Sequence, residues 1–458
     1  MEQTEMVTPA DVEQWIYASY MAAKGNLTET LDEQVRRPQL TRHILDQLGS
    51  PDRRGHNVIV TGSKGKGSTS VMLANILKQH GWRVGLFTSP HLVHFTERIR
   101  VNGDVIEDEA FVRLGRRVRM ATTPIIEALK PDEYVGPVGL AAAIAALYFR
   151  ERKTDVNIWE CGRGALYDDV NQVLHEHAII TPIMEEHLTY LGPELRDVVR
   201  HKLGAITPSV RYIYFGRQEE RVEREIRQLL GGGQGRETVW IARDVRVSDV
   251  HSGIEGTQFS VQTPYGRYDK LNASLIGTFQ ADNAALALTS AEKIAHSLNT
   301  KQEQRVRTSL NESKVRTALK NVQWPGRLEL ISREPTILVD GAIHRRSAQY
   351  VADVLVQLKQ KKGILIIGIP HDKDYTGVLE VLAPLARKVI VTAANRDYLK
   401  FPQDAVRIAK WLCSRVESEE RAVDAFQLGL NQLQPDEWLA IVGTQSLVGE
   451  AQKFFKQN

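Results

Sequence analysis

A chain of 458 residues is longer than one ordinary hydrophobic core serves, and it points to two or three domains. Hydrophobic residues make up 42% and charged residues 25%, the composition of a soluble globular protein. The 59 basic and 56 acidic residues leave a formal charge of +3, too even a balance to argue for a nucleic-acid or membrane-surface partner.

The chain opens Met1-Glu2-Gln3-Thr4-Glu5, without the basic-then-apolar order of a signal peptide. No apolar run approaches the ~20 residues of a membrane span. Residues 57–61 read as a short apolar strand that breaks at Gly62. Val71, Met72, Ile76 and Leu77 then fall at helical spacing, predicting a helix from Ser68 to about His80. Residues 83–87 read as the next strand, so the order is strand, glycine turn, helix, strand, and the sheet is expected to be parallel. Residues 156–159, 178–181 and 212–215 are further buried-strand candidates, alternating with helical stretches. Residues 238–275 alternate around Gly253, Gly256 and Pro264-Tyr265-Gly266, which predicts antiparallel hairpins. A helix follows over 281–296.

The composition turns polar over 299–323, and Trp324-Pro325-Gly326 interrupts the chain. Strand–helix alternation then restarts, with strands expected at 336–339, 363–367, 388–391 and 438–442. The expected fold class is α/β: a large N-terminal P-loop-type parallel-sheet domain plus a smaller C-terminal Rossmann-like α/β domain. The boundary falls near residue 320. Residues 1–305 would form the nucleotide-binding part with an N-terminal helical segment, 306–325 a linker and 326–458 the second domain. Cys161 and Cys413 lie far apart without metal-site spacing, so a reducing, cytoplasmic setting is expected.

The segment that carries chemistry is Gly62-Ser63-Lys64-Gly65-Lys66-Gly67-Ser68, between strand and helix. Glycines let the backbone turn its N–H groups toward phosphate oxygens, the helix N-terminus adds partial positive charge, and Lys66 adds a full one. The spacing is not that of the usual Walker loop: Val60 stands at its first glycine, and Gly67 where a hydroxyl would follow the lysine. The form Gly-x-x-Gly-Lys-Gly-Ser resembles the ATP loop of the Mur ligase and folylpolyglutamate synthase superfamily. The stretches Thr88-Ser89-Pro90-His91-Leu92 and Phe95-Thr96-Glu97-Arg98-Ile99-Arg100 are similar to its folylpolyglutamate and dihydrofolate synthase branch.

Glu160 directly follows a predicted strand, at the end where α/β sheets place ligands. His187 and Lys202 follow downstream. Taken singly, each has an ordinary reading as a solvated carboxylate, a structural imidazole and a surface amine. The resemblance implies more: Glu160 bridging two Mg²⁺ ions, His187 and a carbamylated Lys202 completing the second ion's site, and Ser89 as hydroxyl ligand of the first. CO₂ addition would turn a lysine that repels Mg²⁺ into an anion with hard oxygen ligands. The same resemblance implies that Asn283 contacts adenine, Arg327 reaches the γ-phosphate from the second domain, and Asp340 holds the ribose region.

Several positions depart from the branch. Leu166 stands where it has arginine, although Arg163 lies near; Phe279 and Ile343 each replace a histidine; and residues 135–139 replace an aromatic-acidic segment. The function implied is an ATP-dependent ligase that forms an amide through an acyl phosphate. It would join a small-molecule carboxylate acceptor of folate type to an amino-acid amine such as glutamate. The enzyme would be a cytoplasmic monomer, with no nucleic-acid or membrane partner. Two alternatives stand beside it: a related ligase with a non-folate acceptor, and a nucleotide-binding protein that has lost ligation.

Overall fold

Residues His56–Thr61 (β1) are buried along almost their whole length, the pattern of a central parallel strand covered on both faces. Ile59 joins one apolar cluster with the helix Pro137–Glu151, while Val58 and Val60 join another with the helices Lys66–Gln79 and Phe279–Thr300. The period-two alternation of a strand sends its side chains to opposite layers in this way. The computed structural model describes residues 6–231, 235–300, 310–358, 360–394 and 401–457.

The first sheet continues with Val84–Phe87 (β2), Ile99–Val101 (β3), Asp104–Val105 (β4), Val156–Glu160 (β5), His177–Ile180 (β6), Tyr212–Phe215 (β7) and Glu237–Trp240 (β8). Its spatial order is β4-β3-β2-β5-β1-β6-β7-β8. Six strands run parallel, and β3 and β4 add an antiparallel edge. The N-terminal helical segment is formed by Pro9–Ala23, Asp32–Val35 and Pro38–Gln47, and its buried Val12, Ile16 and Ile44 close the cluster around Pro137–Glu151.

A second, antiparallel sheet contains Arg246–Gly253 (β9), Gly256–Gln262 (β10) and Arg267–Ala273 (β11). The hairpins expected over 238–275 therefore begin only at Arg246. Residues 237–240 pair in parallel with β7 instead, because Val239 and Trp240 are buried and the Trp240 ring stacks 4.1 Å from Phe215. Burial of a large apolar side chain contributes about 2 kcal/mol, which outweighs a local hairpin preference. The helix expected over 281–296 spans Phe279–Thr300 and packs along Lys66–Gln79.

The third sheet holds Glu329–Arg333 (β12), Thr336–Asp340 (β13), Lys361–Gly368 (β14), Lys388–Val391 (β15), Val416–Ser418 (β16) and Glu437–Gly443 (β17). Its order is β12-β13-β17-β14-β15-β16, parallel except for β12. The molecule is thus the α/β pair of parallel-rich sheets expected from the sequence. Within the stretch expected as linker, 306–309 lies outside the described residues, as does 301–309 of the polar run. The helix Glu312–Lys320 packs Val315 and Leu319 into the cluster around Lys66–Gln79. Among the described residues no helix is long and apolar enough to cross a membrane.

Candidate active site

The C-terminal ends of β1, β5, β6 and β13 converge on one cleft of about 370 Å³, lined by Ser63–Ser68, Glu160, Pro182, Asn283, Arg327 and Asp340 among others. Open α/β sheets bind ligands at this end of their strands. The loop after β1 holds its shape through three glycines. Gly62 has φ 128°, and a Cβ there would stand 2.1 Å from the Thr181 hydroxyl oxygen. Gly65, at φ 87°, would meet Asn283 Oδ1 at 2.4 Å, and Gly67 would meet the Trp324 ring at 2.8 Å. Strand β6, the helix Phe279–Thr300 and the segment entering the second domain all press against this loop, and only glycine admits them.

The helix Lys66–Gln79 begins at Gly65 with no side-chain cap. Its first amides and its dipole therefore face the cleft, the arrangement that receives a phosphate. Lys66 Nζ donates to the carbonyls of Gly62 at 2.9 Å and Ser63 at 3.4 Å, folding the ammonium back over the loop. The Ser63 hydroxyl exchanges bonds with the Met184 backbone and fixes the far wall. Buried polar atoms with no partner, Thr69 Oγ1 and Gln280 Nε2, lie in the two helices that flank the loop. Such orphans and a glycine cradle suit a polyphosphate ligand.

Glu160 ends β5 and is 4% exposed. Its Oε2 accepts from the Ser89 backbone N–H at 3.4 Å. Burial pushes its carboxyl up to about 7, against the pull of Lys66 and Arg327. Ser89, Glu160, Gly67, Trp324 and Arg327 also line a smaller recess beside the main cleft. A buried carboxylate and a hydroxyl residue there are hard oxygen donors of the kind Mg²⁺ takes.

Lys202 lies on the helix Leu195–Leu203 and is fully buried. Its Nζ donates to the carbonyls of Gly62 at 2.8 Å and Arg163 at 2.5 Å, and lies 3.4 Å from Glu186 Oε1. Burial lowers its amine to about 7, with Lys66 adding to the effect. His187 is half-exposed at φ 57°, and burial, only partly offset by Glu186, holds its imidazole down at about 4. Glu186 joins this group: despite burial, Lys202 and Lys64 bring its carboxyl down to about 2.

The expected set therefore falls into two neighbouring groups around Lys66. Ser89 and Glu160 meet with Lys66 and Arg327 beside them, while Lys202 and His187 meet at Glu186. Neither Lys202 nor His187 is hydrogen-bonded to Glu160 in the described residues. No cluster of three or more His, Cys, Asp or Glu side chains gathers as a metal set among those residues either. Asp340 Oδ2 accepts from the Leu328 N–H at 2.8 Å, and burial raises its carboxyl. Asn283 Nδ2 donates to Gln280 Oε1 at 3.0 Å.

Sequence reading passed over Glu186, although it precedes His187; its partners Lys64 and Lys202 are distant in the chain. It also passed over Gly341, where a Cβ would stand 2.7 Å from Arg327 Nη1. Near the Leu166 departure, the Arg163 guanidinium pairs with buried Asp32 and lies 3.8 Å over the Tyr190 ring. It thus ties the N-terminal segment to the loop after Glu160.

Residues 60–291 match the family model of the Mur ligase middle domain, and residues 326–445 match that of the Mur ligase glutamate ligase domain. The chain belongs to the Mur ligase family, in its folylpolyglutamate and dihydrofolate synthase branch. The folylpolyglutamate synthase of Lacticaseibacillus casei is 30% identical over 341 residues, 74% of this chain and 77% of that protein. The dihydrofolate synthase/folylpolyglutamate synthase of Bacillus subtilis is 29% identical, over 76% of this chain and 79% of that one. Mycobacterium tuberculosis folylpolyglutamate synthase, solved with ADP, superposes with a TM-score of 0.82 at 25% identity, covering 97% of this chain and 99% of that one.

Proposed function

We propose that this chain is an ATP-dependent ligase that joins the amine of glutamate to a carboxylate of a folate-type acceptor. The observation that carries the reading is the meeting of the Lys66 loop with Arg327, from the segment leading into the third sheet, beside the buried Glu160 and the half-buried Ser89. The folylpolyglutamate synthase of Lacticaseibacillus casei and the dihydrofolate synthase/folylpolyglutamate synthase of Bacillus subtilis, both similar to this chain, support the same substrates.

The acceptor carboxylate takes the γ-phosphoryl group of ATP, giving an acyl phosphate and ADP. The neutral amine then displaces phosphate and leaves an amide. The loop amides and Lys66 hold the polyphosphate, and Arg327 offers a fork of donors to the equatorial oxygens of the phosphoryl in flight. Asn283 and Asp340 lie along the rest of the cleft, suited to the base and ribose. Mg²⁺, when bound, supplies hard positive charge against the phosphate oxygens. Glu160 and Ser89 are the residues we assign to hold one ion, and Glu160, His187 and a carbamylated Lys202 would hold a second. The burial of Lys202, which lowers its amine to about 7, supports that modification, since it is the neutral amine that adds CO₂. In this reading residues 1–305 and 326–458 form the two catalytic domains, joined through 306–325.

The test is ADP release by the purified chain with ATP, Mg²⁺, glutamate and a reduced folate. Amide formation should equal ADP formed, and Lys66→Ala should reduce turnover by about 100-fold or more with the melting temperature preserved. A folded Lys66→Ala protein turning over normally removes the loop assignment, and parental inactivity on every folate removes the acceptor.

A further inference from the structure

The loop that carries Ser89 does not end at the catalytic recess. Its crown is organised by Glu97, whose carboxylate accepts from the N–H groups of Leu92 at 3.0 Å, Val93 at 3.2 Å and His94 at 3.0 Å. This leaves Leu92 projecting toward the second domain, where its side chain packs on the cluster containing Leu447, Val448 and Ala451.

Two glycines make room for this residue, one for its backbone and one for its side chain. A Cβ at Gly449, on the helix Gln445–Gln457, would lie 2.2 Å from the Leu92 carbonyl oxygen and 3.0 Å from its carbon. A Cβ at Gly326 would lie 3.3 Å and 3.4 Å from the two Leu92 methyls. Gly326 has φ 76° and needs glycine for its backbone alone. Gly449 has no such need. It sits inside a helix, where alanine is favoured by about 0.8–1 kcal/mol, so what the position requires is the approach of Leu92. Leu92 is three residues from Ser89, and Gly326 is one residue from Arg327. One residue, through its backbone at Gly449 and its side chain at Gly326, therefore registers the loop of the first domain against the arginine of the second.

We infer that Leu92, clamped between Gly326 and Gly449, is a positioning residue for phosphoryl transfer, holding the Ser89 loop in register with Arg327. This rests on the ligase reading above. Leu92 lines the smaller recess with Ser89, Glu160 and Arg327, and neither it nor Gly326 nor Gly449 lines the main cleft, so the clamp governs the reacting geometry rather than nucleotide affinity. A misplacement of about 1 Å in such a site costs on the order of 100-fold in rate. A loosened seam would also admit water to the acyl phosphate, so that ADP appears without amide.

The experiment compares parent, Leu92→Ala, Leu92→Met and Gly449→Ala. We expect Leu92→Ala and Gly449→Ala to lose about 10-fold or more in kcat, with unchanged KM for ATP and more ADP than amide. Leu92→Met, which keeps the apolar reach, should stay close to the parent. Hydrogen exchange supplies a readout that needs no acceptor: amides of 88–98 should exchange about tenfold faster in Gly449→Ala, with those of 56–80 unchanged. Parental kcat and a one-to-one product ratio in both loss variants would overturn the clamp. So would exchange raised evenly over the whole chain, which marks a merely structural role. If the parent fails on folates but the 88–98 exchange responds as expected, the substrate reading falls and the clamp stands; unchanged exchange there sinks the clamp alone.

Discussion

Lys202 shows how burial changes what a common side chain can do. A surface lysine is a solvated charge, but this one is fully buried, with two backbone carbonyls and Glu186 around its nitrogen. Its carbonyl partners, Gly62 and Arg163, come from the glycine loop after β1 and from the loop after Glu160, so any change at the nitrogen reaches both. If the amine is carbamylated, Lys202→Ala removes an anionic metal ligand while Lys66 and the loop amides remain. ATP-analogue affinity should then stay within a few-fold of the parent, and amide formation should fall by about 100-fold. A short carboxylate added to Lys202→Ala should restore part of the rate. Lys202→Arg should be as inactive as the alanine variant, because guanidinium neither takes up CO₂ nor binds a cation. Near-normal turnover by the arginine variant would leave Lys202 as a structural cation.

The helix Phe279–Thr300 illustrates what one element does on two sides. Its first turns put Gln280 and Asn283 at the phosphate loop. Further along, Glu292 is buried at 1% exposure against the antiparallel sheet, accepting the Tyr268 hydroxyl at 2.7 Å. Burial pushes the Glu292 carboxyl up to about 7, against the lowering by Tyr268 and Thr263. The folded value lies above the ordinary value of 4.5, so the folded chain keeps this proton across that interval. The associated stability is fully present below pH ~4.5 and is lost as pH rises through ~7, a loss on the order of 3 kcal/mol. Glu292→Gln has no proton to lose. Its urea midpoint should therefore rise relative to the parent as pH goes from 5 to 8, and parallel pH dependences would show that the carboxyl titrates without this cost.

At the scale of the whole molecule, the site exists only where two sheets meet. The phosphate loop belongs to the first and Arg327 to the segment leading into the third, and Gly341 leaves the space Arg327 occupies. The exposed ion pair of Arg333 with Glu255 crosses the boundary. Arg346 pairs with Glu219 at the cleft mouth, but both side chains are about half exposed, and such pairs contribute about 0–1 kcal/mol and weaken with salt. Seating of the second domain therefore depends on packed contacts and, in the proposed reaction, on ATP held between Lys66 and Arg327. Arg327→Ala should leave binding of a non-hydrolysable ATP analogue nearly intact, while kcat falls by about 1,000-fold. Titration calorimetry beside turnover separates the two; equal losses in both would make Arg327 a binding group only.

Whatever is local in the chain could be read from it directly. The run 57–61, the glycines that follow and the periodic Val71–Leu77 stretch place a phosphate loop between strand and helix, because turn chemistry and hydrophobic period act over a few residues. The later strands and the restart after Trp324-Pro325-Gly326 were legible for the same reason. Tertiary packing decided the rest. Residues 238–240 left the expected hairpin for the main sheet because Trp240 finds Phe215 there. Glu186 became the partner of Lys64 and Lys202, and Trp324 came to lie on Gly67, through contacts between residues far apart in sequence. Inside the helix Gln445–Gln457 a glycine is a weak point, and only the approach of the Leu92 carbonyl explains Gly449. Secondary structure and loop chemistry follow from near neighbours, whereas which charges share a buried volume, and which glycines admit a neighbour, depend on where distant segments come to rest.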